Sequence, residues 1–167
     1  KKNSSFKVAD PAMHFILLRA NRDLRLIGLN LGEDISEIDS WISALEKGVS
    51  KLWNYSLASY DSFDLINKSF AGSISSASFM CWYAGVYDKR MLLHYDRIMN
   101  KVKYGMPSYD PESEKFDRKR YWRGPSWAIM NMLIGFGLEE VGEVKRANIL
   151  RAQTNLAISE SGFAEYF

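Results

Sequence analysis

The chain has 167 residues, of which 47% are hydrophobic and 25% charged, and its formal net charge is +2. This length predicts a single domain over residues 1–167 with enough apolar side chains to build a core. Because the small net charge gives no strongly basic surface, we expect no nucleic-acid partner. No apolar run approaches the roughly 20 residues of a membrane-spanning helix, so we expect no membrane partner.

The only cysteine of the chain, Cys81, lies in the apolar run 77–86. A lone cysteine forms no internal disulfide, which fits a reducing compartment, and we therefore expect a cytoplasmic location. Cys81 itself is predicted to be a small buried residue. His14 and His94 are far apart and lack metal-ligand spacing, and the sequence has no glycine-rich phosphate loop. We expect neither a metal nor a cofactor.

Six helices are predicted along the chain. The first begins at Asp10-Pro11, where Asp is a favourable N-cap and Pro a favourable first residue, and it ends near Gly32. Apolar residues at helical spacing predict a second helix from Asp34 or Ser36 to about Leu52. The short connection between these two predicts a helical hairpin. The other four are predicted at 75–86, 88–101, 126–138 and 143–158.

Three polar, turn-rich segments separate the predicted helix pairs. Residues 53–73 are expected to form an irregular loop with at most a short strand pair, and Pro107 and Pro111 argue against regular structure between 102 and 120. Paired helices joined by short turns inside a pair and long loops between pairs predict a solenoid or a toroid. In either arrangement the loop segments 60–64, 104–127 and 162–167 should converge at one end.

The segment from Tyr121 to Trp127, Tyr-Trp-Arg-Gly-Pro-Ser-Trp, combines three aromatic rings with a guanidinium between a loop and a helix start. Flat rings such as Trp122 stack on the C–H faces of sugars, and Arg123 supplies directional donors. The segment is therefore predicted to line a binding pocket. The alternative is a half-buried aromatic plug that anchors the loop.

Carboxylates on the converging loops are the candidate catalytic groups. Glu165 lies between Phe163 and Tyr166, and apolar surroundings would raise its pKa and make it a base near neutrality. The alternative is an exposed acid in a frayed terminus. Tyr60 and Asp61 are further candidates for sugar contacts, although capping of the following helix is the commoner role for such an Asp.

Two motifs together resemble the C-terminal half of the catalytic domain of glycoside hydrolase family 63, in its mannosylglycerate/glucosylglycerate hydrolase branch. They are Tyr121-Trp-Arg-Gly-Pro-x-Trp127, which precedes an apolar helix, and Gly162-Phe-x-Glu165-Tyr166. The stretches Val8–Pro11, Leu52-Trp53 and Tyr60–Ser62 are also similar to that family. The resemblance thus covers almost the whole chain.

The resemblance implies an all-α (α/α)6 barrel that hydrolyses an α-glycosidic bond with inversion. It implies that Glu165 is the general base and that Tyr121, Trp122, Trp127 and Arg123 belong to the sugar pocket. The family's general acid is an Asp upstream of the matched region, and no residue of this chain corresponds to it. Six predicted helices are half of the twelve in a complete toroid, so we expect about half of an (α/α)6 toroid.

A half-toroid exposes a large apolar surface, so we expect a homo-oligomer or a partner chain that covers it. The expected ligand is a carbohydrate of the α-glucoside or α-mannoside type. A second hypothesis from a different class is a non-catalytic carbohydrate-binding or helical interaction domain that keeps the aromatic groove. The variant Glu165→Gln distinguishes the two hypotheses. Loss of turnover with sugar binding retained favours the enzyme, whereas absence of turnover in the parent chain, even at high concentration, favours the binding domain.

Overall fold

The computed structural model describes residues 5–167 of the chain. Over these residues it contains five α-helices: α1 (Pro11–Leu31), α2 (Ser36–Val49), α3 (Lys89–Met99), α4 (Ala128–Glu140) and α5 (Val144–Ser161). Two short 3-10 helices span Ser50–Leu52 and Ser76–Cys81. None of the helices between residues 5 and 167 is long and apolar enough to cross a bilayer.

Between residues 5 and 167, five two-residue strands accompany the helices, so the expected all-α class is confirmed only in part. Strands β1 (Val8–Ala9), β4 (Phe63–Asp64) and β5 (Ser69–Phe70) form an antiparallel sheet in the order β1-β4-β5. Strands β2 (Trp53–Asn54) and β3 (Ser59–Tyr60) form a separate hairpin. The segment 53–73, expected to be irregular, therefore holds four strands and is tied to the start of α1 through β1.

Helix α1 begins and ends where the sequence predicts. A side-chain oxygen of Asp10 accepts a hydrogen bond from the backbone N–H of Met13 at 2.9 Å, and Pro11 is the first helical residue. Gly32 ends the helix with φ of 72°, a left-handed conformation that glycine adopts without a steric penalty. The hydrogen bond from Met13 holds the side chain of Asp10 at the start of α1.

The third predicted helix, at 75–86, is not an α-helix. Ser76–Cys81 forms a 3-10 helix, with Ser75 and Ser78 in a capping box, and turns follow to Gly85. The expected deep burial is confirmed, since Trp82 is fully buried. The backbone at Trp82 also lies against Gly137 of α4. The local apolar pattern predicts burial but does not reveal this close contact with α4. The segment that makes the contact is not α-helical.

The core lies between α1, the Ser76–Cys81 3-10 helix and α4, with α2 packed on α1 and α5 packed on α4. Helix α1 has a second apolar row on the opposite face, and this row faces solvent. Its members recur every three or four residues, apart from a gap at Ala20, and are 45% to 70% exposed: Met13, Leu17, Leu24, Ile27 and Leu31. The row is a candidate contact surface.

Candidate active-site corner

Four aromatic rings gather where the chain enters α4, and we call them the aromatic corner: Tyr121, Trp122, Trp127 and Tyr166. Trp127 is the N-cap residue of α4 and is 6% exposed. The half-exposed ring of Trp122 lies parallel to it, with centroids 4.0 Å apart and an interplanar angle of 1°. Tyr121 meets Trp127 edge-on at 4.7 Å, and Tyr166 lies 5.3 Å from Trp127. One face of Trp122 is therefore covered by Trp127.

The segment 162–167 is held against the chain ahead of α4 by backbone pairing. The N–H of Phe167 donates to the carbonyl of Ser126 at 2.9 Å, and the N–H of Ser126 donates to the carbonyl of Phe167 at 2.8 Å. Ser126 is itself buried, and its hydroxyl donates to the carbonyl of Met106 at 3.0 Å. The predicted convergence of the second long loop with segment 162–167 is thus observed.

Glu165 lies at the aromatic corner. Its Oε1 accepts a hydrogen bond from the phenolic hydroxyl of Tyr121 at 2.6 Å, and this bond to a carboxylate raises the pKa of the Tyr121 phenol. The side chain of Glu165 is exposed, and its neighbour Phe163 is 97% exposed. The expected apolar surroundings of Glu165 are therefore wrong. Its carboxylate is nevertheless positioned by a hydrogen bond on the same side as the corner.

A cavity of about 380 Å³, which we call the Trp122 cavity, lies beside the corner. It is bounded by the starts of α1, the Ser76–Cys81 3-10 helix and α4. Trp122 forms part of its wall, together with Asp10 and Ser62. Because Ser62 follows β3 and Trp122 precedes α4, the first and second long loops meet at this cavity.

Tyr60, predicted to contact sugar, lies in the core instead. Its ring makes edge-to-face contacts with Phe15 and Trp53, each with centroids 4.9 Å apart. Burial raises the pKa of the Tyr60 phenol. This position is inconsistent with a direct sugar contact by Tyr60, and the long-range ring contacts that place it are not visible in the local sequence.

Asp61, the other candidate on the first loop, is 1% exposed. Its Oδ2 accepts hydrogen bonds from Asn54 Nδ2 at 3.0 Å and from the backbone N–H of Gly72 at 2.8 Å, with a longer one from Ser73 at 3.4 Å. Its Oδ1 has no hydrogen-bond partner among the described residues. Asp61 thus fastens the two ends of the β4–β5 hairpin together, next to the cavity-lining residues Ser62 and Ser73, and it caps no helix.

Arg123 belongs to a different surface from the Trp122 cavity. It lines a cavity of about 440 Å³ formed with the charged segment 114–118. Its backbone carbonyl accepts from the N–H of Asp117 at 2.8 Å. A Cβ on the next residue, Gly124, would lie 2.3 Å from the Asp117 carbonyl oxygen. The glycine therefore permits the close approach of the chain at 124 to the backbone of Asp117.

Between residues 5 and 167, no group of three or more His, Cys, Asp or Glu side chains is arranged to hold a metal ion. His14 Nε2 lies 2.8 Å from the carbonyl oxygen of Leu45, where it joins α1 to α2. Cys81 is fully buried, as predicted, and burial raises the pKa of its thiol. We assign a structural role to both residues.

Two groups at the site were not anticipated from the sequence. Asp10 was predicted only as an N-cap, yet it also lines the Trp122 cavity. Tyr166 joins the aromatic corner, 5.4 Å from Tyr121 and edge-on to it. The aromatic residues around Glu165 were a usable signal for Tyr166. Asp10 had no such signal, because its cavity is formed by segments distant in sequence.

Comparison with known proteins identifies the family. A model described as the mannosylglycerate hydrolase MGH1-like glycoside hydrolase domain matches residues 1–167. Mannosylglycerate hydrolase of Thermus thermophilus is 36% identical over 99% of this chain and 41% of its own length. Mannosylglycerate hydrolase MGH1 of Selaginella moellendorffii is 30% identical over 97% of this chain and 34% of its own length.

A solved structure shares the fold. The crystal structure of the family 63 mannosylglycerate hydrolase from Thermus thermophilus in complex with glucose matches with a TM-score of 0.95 and 35% identity. The match covers 99% of this chain and 43% of that one. The chain therefore belongs to the MGH1-like glycoside hydrolase family within family 63, as the resemblance of its motifs implied. It spans about two fifths of the length of the Thermus relative.

Proposed function

We propose that this chain forms the base-bearing part of a glycosidase that hydrolyses an α-glycosidic bond with inversion, and that Glu165 is the general base. The hydrogen bond of 2.6 Å between Tyr121 and Glu165, beside the aromatic corner, carries the proposal. Inverting hydrolysis needs a carboxylate that activates a water on the face opposite the leaving group. Glu165 is exposed, so water has access to it.

The aromatic corner is the proposed sugar platform. Trp122 is stacked on Trp127 through one face and is still 48% exposed, which leaves ring surface for a sugar. The Thermus and Selaginella relatives are named mannosylglycerate hydrolases, so we propose mannosylglycerate as the substrate. Glucosylglycerate is the alternative, because the motifs resemble both branches of the family.

The general acid is proposed to lie outside these 167 residues. Inverting enzymes hold their two carboxyl groups roughly 6.5–9.5 Å apart, so that a water fits between one group and the sugar. The family's acid is implied to lie upstream of the region that this chain matches. We accordingly propose that residues 1–167 are one partial domain, about half of an (α/α)6 toroid, and that hydrolysis requires the other half.

The exposed apolar row on α1 supports this incomplete toroid. Five large apolar side chains at helical spacing on one solvent-facing helix face favour contact with another apolar surface. For the isolated chain we propose that a second copy covers the row. Sedimentation velocity at micromolar concentration should then show dimers or larger species, and a well-behaved monomer would contradict this part of the proposal.

A cytoplasmic location also stays a prediction.

The test of the function restores a full-length enzyme. This chain replaces the matching segment of the Thermus thermophilus relative, and the products of mannosylglycerate hydrolysis are followed by ¹H NMR. Inversion of an α-linked substrate should release the β-anomer of mannose first. Initial release of the α-anomer would contradict inversion. Sugar binding without any hydrolysis, while the Thermus parent is active, would favour the non-catalytic binding domain.

A further inference from the structure

We infer that Asp10 is a specificity-determining residue of the proposed sugar pocket, where it accepts hydrogen bonds from sugar hydroxyls in the Trp122 cavity. This inference rests on the proposed function, because it concerns how the same site distinguishes the two ends of its substrate. Three observations support it: the residues that line the cavity, the hydrogen bonds of Asp10, and the buried Asp61 that fixes the neighbouring serines.

The wall of the cavity is mostly apolar, carries several hydroxyls and has almost no charge. Among the described residues that line it, Asp10 is the only one that carries a formal charge. Five lining residues are serines: Ser62, Ser73, Ser75, Ser76 and Ser108. Hydroxyls both donate and accept hydrogen bonds, which suits a polyhydroxylated ring. A negatively charged glycerate group would instead be repelled by Asp10, so it should face away from this cavity.

The carboxylate of Asp10 has one oxygen in use and one available. Oδ1 accepts from the backbone N–H of Met13 at 2.9 Å, which fixes the side chain at the start of α1. Within the described part of the chain, Oδ2 accepts only a long hydrogen bond of 3.4 Å from the hydroxyl of Ser62. A carboxylate oxygen has room for further donors, and hydrogen bonds to ionised acceptors are stronger than those between neutral groups. Oδ2 is thus a positioned acceptor for a ligand hydroxyl.

The serine side of the cavity is held by a buried carboxylate. Asp61 Oδ2 accepts from the backbone N–H of Gly72 at 2.8 Å and from that of Ser73 at 3.4 Å. Ser62 follows Asp61 directly in the chain, so this one buried residue helps to set both Ser62 and Ser73. Binding groups that are already positioned lose less entropy when a ligand binds. We therefore assign Asp61 a positioning role.

The cavity wall also has apolar members, among them Trp122, Met13, Ile16 and Met130. A hexose ring combines the same two kinds of surface, because its C–H faces are apolar and its hydroxyls lie around the edge. A ring stacked on Trp122 could present edge hydroxyls to Asp10 and the serines. The mixture of apolar and hydroxyl-bearing wall residues therefore suits the sugar better than the acid part of the substrate.

The decisive variant is Asp10→Asn in the full-length chimera. Asn caps a helix about as well as Asp, so α1 should be retained while the charge is lost. Binding of methyl α-mannoside, measured calorimetrically, should weaken about tenfold, and inhibition by free glycerate should be unchanged. The matched control is Asp34→Asn, since Asp34 Oδ1 accepts from the backbone N–H of Ser36 at 2.9 Å and Asp34 does not line the cavity. It should bind methyl α-mannoside like the parent.

A second variant, Ser62→Ala, tests the cavity without altering the cap, and we expect a several-fold loss of methyl α-mannoside binding. If Asp10→Asn does not fold, this variant decides. Methyl α-mannoside affinity within twofold of the parent in both variants, or in Ser62→Ala when Asp10→Asn does not fold, would overturn the inference. A matching loss of glycerate inhibition would also overturn it, because the pocket would then not separate the two groups.

The inference and the proposed function can fail separately. Glu165→Gln should lower turnover by about 10²–10⁴-fold and keep methyl α-mannoside binding. If Glu165→Gln behaves in this way while Asp10→Asn binds the sugar normally, only the assignment of the cavity is wrong. If Asp10→Asn loses sugar binding while Glu165→Gln stays active, the cavity assignment holds and the assignment of the base is wrong.

Discussion

The phenolic hydroxyl of Tyr121 donates to Oε1 of Glu165 at 2.6 Å, although the two residues are 44 positions apart in the sequence. The backbone pairing of Ser126 with Phe167 brings the segments together, and the edge-on contact of Tyr121 with Trp127 fixes the donor. Two independent anchors therefore hold an exposed carboxylate next to an aromatic platform. Positioning of this kind is required of a group that activates water.

The first prediction concerns the titration of Tyr121. Its hydrogen bond to the Glu165 carboxylate stabilises the neutral phenol and raises the phenol pKa. Glu165→Ala removes the acceptor and the negative charge, so the pKa of Tyr121 should fall and tyrosinate should form at lower pH. ¹³C NMR of tyrosine labelled at Cζ, with Tyr121 assigned by Tyr121→Phe, measures this.

The matched control for that titration is Glu160→Ala. Glu160 also accepts from a phenol, since the hydroxyl of Tyr104 donates to its Oε2 at 2.5 Å. Its removal should leave the Tyr121 titration where it is in the parent. A Tyr121 pKa that is the same in Glu165→Ala and the parent would show that the hydrogen bond is not formed in solution.

A second prediction separates the two stacked tryptophans. Trp127 is buried at the start of α4, and Trp127→Ala should lower the free energy of unfolding by about 3–5 kcal/mol. Trp122 is half exposed, so Trp122→Ala should remove little beyond the stacking contribution of about 0.5–1.5 kcal/mol. Urea unfolding measures both. Equal losses in the two variants would contradict the assignment of Trp122 as a platform and Trp127 as its support.

A third prediction uses two glycines of the same helix. A Cβ on Gly137 would lie 2.2 Å from the backbone N of Tyr83 and 2.4 Å from the backbone C of Trp82, so Gly137→Ala should lower the free energy of unfolding by roughly 1–3 kcal/mol. A Cβ on Gly135 would meet nothing within 4 Å, so Gly135→Ala should raise it by about 0.5–1 kcal/mol. Stabilisation by both variants in thermal or urea unfolding would contradict the close packing of α4 on the 3-10 segment.

Features that depend on neighbouring residues in the sequence, such as the ends of a helix, were predicted correctly. The Asp10-Pro11 start and the Gly32 end of α1 follow from capping, and the junction of loop and helix at Trp127 follows from the motif. The convergence of segment 162–167 with the Tyr121 region was inferred from the alternation of short and long connections, and the pairing of Phe167 with Ser126 agrees with it.

Features set by distant contacts were missed. The apolar run from Ser76 is a 3-10 helix against Gly137, and Tyr60 is a core residue because Phe15 and Trp53 enclose its ring. The aromatic neighbours of Glu165 suggested apolar surroundings, yet its side chain is exposed. Residue neighbours in the sequence do not determine which way a side chain leaves a turn.

The measurement that tests the role of Glu165 most directly is the turnover of mannosylglycerate by the full-length chimera carrying Glu165→Gln. Loss of a general base should lower kcat by about 10²–10⁴-fold, with methyl α-mannoside binding retained. Glu160→Gln, which alters another exposed carboxylate bonded to a tyrosine, should keep the parent rate. A Glu165→Gln rate within tenfold of the parent, or an equal loss in Glu160→Gln, would contradict the assignment of Glu165 as the base.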